Sequence, residues 1–189
     1  PQITTIVKLA VEKILKKNVL VVGAGIKTGL NIRIDNPAQL GSDLVVDSVA
    51  AIAEYPAPLL IFDLGTANTV CVIDKNKNYI GGMIYPGIGV SLDSLTAHAS
   101  QLGGISIEAP EHMIGKNTTE CMKSGLIYSS AAAMDGIIDR LQEQLGGEAT
   151  VIATGGLAKK IVPHCRREII LDDDLLLKGL AIIYKKNRK

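Results

Sequence analysis

The sequence predicts an α/β protein in which helices pack on a mixed sheet, and three observations predict it. Short apolar or β-branched runs alternate with longer segments whose apolar residues recur at helical spacing. Three of those runs, 59–64, 69–74 and 79–84, follow one another without a helix between, and the polar turn Lys75-Asn76-Lys77-Asn78 makes antiparallel neighbours of the last two. The chain is 189 residues long and 47% apolar, enough for one large domain or two small ones with a real core.

The elements follow in order. Ile6, Leu9, Ala10 and Ile14, with lysines between them, predict a one-sided helix over 3–17. Val19–Val22 reads as a short strand that stops at Gly23. The alternation over 30–35 reads as another strand, broken by Asn36-Pro37. A buried helix is expected over 44–55, LVVDSVAAIAEY, closed by Pro56 and Pro58, and those prolines are the best linker candidate. After the three-strand meander come a helix over 91–101 and a longer one over 118–145. Ile138, Leu141 and Leu145 share a face of the latter, and Gly146-Gly147 ends it. A strand over 150–153, a Gly-Gly turn, a short helix, a strand over 168–171 and a closing helix over 174–186 complete the chain.

Composition narrows the function. The net charge is +1, with no basic stripe or acidic tail, so no nucleic-acid partner is expected. Cys71, Cys121 and Cys165 lie far apart without a C-x-x-C spacing, and the histidines at 98, 112 and 164 are scattered, which argues against a structural zinc site and for a reducing, cytoplasmic setting. No apolar run approaches the ~20 residues needed to span a bilayer. The opening stretch lacks a small-residue cleavage site, so a soluble protein without a membrane partner is expected.

Chemistry gathers in the loops. In LLIFDLGTANT the apolar run fixes Asp63, Gly65 lets the backbone approach a ligand, and Thr66 and Thr69 add hydroxyls, a set suited to phosphate oxygens or their cation. The alternative is a corner in which Asp63 caps its own turn. Ala153-Thr154-Gly155-Gly156 runs into a helix, either as a slot for a planar ring or ribose or as a plain turn. Asp43, just before an apolar helix, is an N-cap or a carboxylate that accepts a proton from a substrate hydroxyl. The glycines of Gly23–Gly29 fit neither a dinucleotide loop, whose third glycine would fall at Thr28, nor a Walker loop. No helix follows them, so that segment reads as a connector, and an NAD-dependent oxidoreductase is disfavoured.

Taken in order, these loops resemble the type III pantothenate kinases, of the acetate and sugar kinase, heat-shock ATPase and actin superfamily. The likeness rests on GAGIKTG at 23–29, DNP at 35–37, GSD at 41–43, DLGTANT at 63–69, GGMIYPG at 81–87, IGKNT at 114–118, Ser124-Gly125, ATGGLA at 153–158 and LLLKGLAIIYKKN near the end. It implies a ribonuclease H-like, actin-like kinase fold, with residues 1–57 as the remnant of an N-terminal substrate and phosphate domain. Residues 58–189 would be the C-terminal nucleotide-binding domain, the last helix crossing back. It implies ATP-dependent phosphorylation of pantothenate, the first step towards coenzyme A, with Mg2+ and a monovalent cation, K+ or NH4+, in a homodimer whose pocket is completed across the interface. Asp43 matches the catalytic base. Gly65, Thr66, Ala67, Asn68 and Thr69 match the second phosphate motif, and Asp63 would help hold the monovalent cation. Gly155 and Gly156 match the adenosine motif, and Gly41 and Thr118 line the pantothenate pocket.

The chain also departs from the family pattern. The first phosphate motif, an Asp-x-Gly-Asn-Thr turn between the earliest strands, has no counterpart, which leads us to expect a truncated and impaired product. Leu44 follows the base where an arginine is usual, Cys71 stands in place of an aspartate, and Ser130 in place of a glycine. The alternative expectation is a non-catalytic or regulatory homologue that keeps the fold without substrate recognition.

Overall fold

The computed structural model describes residues 3–188. Helix α1 spans Thr4–Leu15, and strand β1 is the pair Asn31–Ile32. Helix α2, Ser42–Glu54, leads into the meander β2, Leu59–Leu64, β3, Ala67–Ile73, and β4, Asn78–Pro86. Helices α3, Ile88–His98, and α4, Thr118–Leu145, follow, then β5, Thr150–Thr154, the short α5, Ala158–Ile161, β6, Ile170–Leu171, and α6, Leu175–Asn187. One sheet of six strands runs in the order β1-β4-β3-β2-β5-β6. The β2-β3 and β3-β4 pairs are antiparallel, whereas β1-β4, β2-β5 and β5-β6 are parallel.

The meander is tight because Asp74 accepts hydrogen bonds from the backbone N–H groups of Asn76 and Asn78, and Lys77 takes a left-handed φ of 63°. Helix α4 begins where Asn117 accepts from the backbone N–H of Glu120 and ends at Gly146, φ 75°.

Side chains of a strand alternate between faces, and that period divides the core in two. Leu60, Phe62, Leu64, Val70 and Val72 point to the face covered by Ile127, Ala131, Met134 and Ile138 of α4 and by α5. Leu59, Ile61, Cys71 and Ile73 point to the other face, under Ala50 and Ala51 of α2 and Leu175 of α6. Cys71 is a buried apolar filler, 1% exposed. Helix α2 is crossed by α6, where Gly179 lies so close to the Val46 carbonyl that a Cβ would overlap it.

Several expectations are corrected. Val19–Val22 forms no strand, since a strand needs a neighbour and this run has none among the described residues; Leu20 and Val21 stay exposed. The strands expected over 30–35 and 168–171 shrink to pairs at the two sheet edges. Helix α3 starts at Ile88, earlier than its apolar spacing suggested, because Gly87 turns the chain directly out of β4. Helix α1 forms but buries none of its residues, with Ile6 and Ile14 67% and 75% exposed.

The Gly23–Gly29 segment is the tight connector expected. Gly25 and Gly29 have φ of 87° and 79°, and the end of α6 holds the loop through Asn187, which bonds the N–H and carbonyl of Lys27, and Lys186, which donates to the Thr28 carbonyl. At Pro56–Pro58 the carbonyl of Pro58 accepts from the Thr150 N–H and that of Pro56 from the Thr150 hydroxyl.

Candidate active site

Strands β2, β5 and β6 are parallel, so their carboxyl ends open at one edge, the position where open α/β sheets bind ligands. There the period of β2 decides what is presented. Asp63 continues the odd-numbered series Leu59, Ile61, so it emerges on the α2 face of the sheet. On α2, Asp43 and Asp47 are one turn apart and share a side. All three carboxylates line one cleft of about 460 Å³, together with Thr154, Gly155, Gly156, Asp173 and Leu176.

A second cleft of about 560 Å³ adjoins it between the 34–41 segment, α2 and the β3–β4 pair. Gly41, Leu44, Ala67 and Thr69 are among its walls, and Asp43 belongs to both clefts. The corners after Phe62 and after Ala153 therefore converge on one site that Asp43 faces.

The environment of each carboxylate is distinct. Asp43 stands in the first turn of α2, whose N-cap is Gly41, and its Oδ1 accepts from the Leu44 N–H at 2.9 Å. The N-cap reading is corrected on that point, although the first turn still favours a negative charge. A side chain at 41 would overlap the Asp43 carboxylate.

Asp63 accepts no hydrogen bond among the described residues, so it caps nothing and its carboxyl opens to the cleft. Burial, with the nearby Asp43 charge, pushes its pKa up. Asp47 is 2% exposed, its Oδ1 has no hydrogen-bond partner, and burial together with Asp63, Asp43 and Asp172 pushes its pKa up to about 7. Among the described residues no group of three or more His, Cys, Asp or Glu side chains is arranged to hold a metal ion, so Asp47 stands as a buried carboxyl that is costly to ionise without a partner.

Gly155 is the glycine the site cannot replace. Its φ is 94°, and a Cβ there would overlap Asp63 Oδ1 and crowd the Leu64 backbone. Gly156 and Gly65 are different: neither has a positive φ, and a Cβ at either would meet no atom within 3.4 Å, which leaves open backbone beside them. Gly87 packs against the Gly65-Thr66 turn and donates its N–H to the Thr66 carbonyl at 3.1 Å.

Of the residues singled out from the sequence, Asp43, Asp63, Gly155 and Gly156 meet in the first cleft, and Gly41, Ala67, Thr69 and Asp43 in the second. Gly65 and Thr66 form the turn before β3 and Asn68 is buried within β3, but none of the three lines either cleft, and Thr118 is exposed at the start of α4, outside both. Asp47, Thr154, Asp173 and Leu176 were given no role in the sequence reading, although Thr154 and Leu176 lie within motifs quoted there. The spacing of Asp43 and Asp47 by one helical turn was the available signal for the first, and the run Asp172-Asp173-Asp174 at a strand end for the third.

A mixed sheet with helices on both faces and a cleft at its parallel carboxyl ends makes this an α/β protein, and comparison with solved structures gives the fold as actin-like. Two solved structures share the fold. One is the ethanolamine utilization protein EutJ of Carboxydothermus hydrogenoformans, 17% identical, covering 96% of this chain and 72% of that one at a TM-score of 0.50. The other, described as a conserved Baf family transcriptional activator of Campylobacter jejuni, is 22% identical and covers 85% and 70% at a TM-score of 0.55.

Within that class, the chain belongs to the type III pantothenate kinase family, whose model matches residues 1–140. Relatives named type III pantothenate kinase are 47% identical over 170 residues in an Exiguobacterium species and 46% identical over 176 in Bacillus cytotoxicus. They cover 90% and 93% of this chain, which spans 66% and 67% of their length, or about two thirds. No helix among the described residues is long and apolar enough to cross a membrane.

Proposed function

We propose that the chain carries the phosphoryl-transfer site of a pantothenate kinase, converting pantothenate and ATP to 4'-phosphopantothenate and ADP at the first step of coenzyme A synthesis. The observation that carries this reading is that Asp43 lines two adjoining clefts. Donor and acceptor need separate pockets with a carboxylate at the junction, and this geometry supplies them.

ATP occupies the first cleft, its adenosine against Gly155 and Gly156 and its phosphates towards the 63–69 turn. Pantothenate lies in the second, between Gly41 and Thr69. The Asp43 carboxylate accepts the proton of the pantothenate hydroxyl as its oxygen bonds to the γ-phosphorus, and the bond from that phosphorus to the bridging oxygen of ADP breaks. Asp63 would hold the monovalent cation, K+ or NH4+, and Mg2+ would come with the nucleotide, each neutralising charge during transfer.

In the same reading the chain works in the cytoplasm as a homodimer, and Thr118 reaches a pantothenate pocket only across that interface. The segment to residue 57 contributes the base and one wall of the acceptor pocket, and the segment from 58 the facing acceptor wall and the nucleotide wall. Pantothenate-dependent ADP release, measured with Mg2+ and K+ present, is the test. Asp43→Asn is expected to lower kcat by about 10²-fold or more with the chain still folded. Equal turnover with and without pantothenate would refute the assignment.

A further inference from the structure

The corner between β6 and α6 is fastened from two sides, although its aspartates at 172–174 belong to no motif singled out in the sequence. Asp172, 6% exposed, follows β6 and donates its backbone N–H to the Ala153 carbonyl at 2.9 Å, which sets it beside the strand end that carries Thr154 and Gly155. Its Oδ2 accepts from the Tyr55 hydroxyl and from Lys178 Nζ, both at 2.8 Å, and its Oδ1 accepts from the Asp174 N–H at 3.2 Å. Lys178 Nζ also reaches Glu54 Oε2 at 2.8 Å, so a single ammonium joins the end of α2 to the start of α6. The next residue, Asp173, pairs with Lys159 of α5 at 2.5 Å.

What lies between those two fastenings is a wall of the first cleft. Asp173 and Leu176 face it from the β6–α6 corner, and Gly155 and Gly156 face it from the β5–α5 corner. The width of the slot between the two corners is therefore set by where Asp172 is held. Burial opposes a charge on Asp172, but the hydrogen bonds from Lys178 and Tyr55 outweigh it and keep its pKa below the ordinary carboxylate value. An ionised carboxylate with charge-assisted partners is a stiff anchor.

We propose that Asp172, clamped by Lys178 and Tyr55, is the positioning residue of the nucleotide slot, acting on ATP through Asp173 and Leu176 without touching the reacting atoms. The inference rests on the assignment of ATP to the first cleft. It separates two jobs along one helix: the N-terminal end of α2 carries Asp43 to the chemistry, and its C-terminal end, through Glu54 and Tyr55, braces the purine and ribose side.

The test uses the 189-residue chain. Wild type, Lys178→Met, Lys178→Arg and Tyr55→Phe are titrated with a fluorescent N-methylanthraniloyl ATP and assayed for pantothenate-dependent ADP release, with thermal unfolding recorded for each. Lys178→Met is expected to weaken nucleotide binding and raise KM for ATP by about five-fold or more, close to 1 kcal/mol. Its kcat should stay within about two-fold and KM for pantothenate should not move. Tyr55→Phe should give a smaller shift in the same direction, and Lys178→Arg should restore most of the affinity, since it keeps the charge and both acceptors.

A folded Lys178→Met that binds nucleotide as wild type does overturns the proposal, and so does a fall in kcat at unchanged KM for ATP. A wild type that binds no nucleotide removes the assignment of the cleft, and this inference with it. Because the binding measurement needs no turnover, a chain that binds ATP without phosphorylating pantothenate removes the functional reading and still tests this one.

Discussion

Asp47 is the residue whose surroundings predict the largest response to pH. In the unfolded chain it titrates near 3.8, and in the native protein near 7, so between those values the folded state holds more protons than the unfolded one. Stability therefore falls as pH rises through that window and levels off above it, a total cost of up to about 4 kcal/mol. Asp47→Asn removes the titration. It is expected to leave stability near wild type at pH 4 and to raise it by a few kcal/mol at pH 8, measured by urea unfolding at both. Identical curves for the two proteins at pH 8 would show that the carboxyl is neutralised by other means. Gly155 responds to sterics instead. Gly155→Ala forces a Cβ into the Asp63 carboxylate at a φ that side chains rarely adopt, so a loss of about 1–3 kcal/mol in stability is expected, together with loss of nucleotide binding in a fluorescence titration.

Among the elements, the crossing of α2 and α6 holds the base-bearing helix to the sheet. Gly179→Ala places a methyl against the Val46 carbonyl and must push the helices apart. We expect a loss of roughly 1–3 kcal/mol. A drop in kcat should accompany it, because Asp43 rides on α2; an unchanged melting temperature would contradict the close crossing. This scale also shows what the sequence makes legible. The bounds of α4 at Thr118 and Leu145 could be read because an asparagine cap and a terminal glycine are local signals. The meander could be read because its turn residues are local too. Val19–Val22 was misread because its β-branched composition says nothing about whether a neighbour exists to pair with. Asp43, Asp63 and Gly155 were legible as loop residues, whereas the side on which Asp173 and Leu176 fall is fixed only when α6 docks on α2.

At the scale of the molecule, two rules assemble the site: alternation along β2 sends Asp63 to the α2 face, and parallel pairing of β2 with β5 puts Gly155 beside it. Register carries the consequence, since Asp63 is paired with Thr154. A slip of one residue would send Asp63 to the α4 face and bury it in hydrocarbon. All of the chemistry thus sits at one end of the sheet, while Gly147 and Glu148 are exposed ahead of β5 at the other end, about 16 Å away along a strand of five residues. That separation offers a practical handle: a dye or a short fused peptide grafted at 147–148 would report on the working protein from a distance at which it disturbs neither pocket.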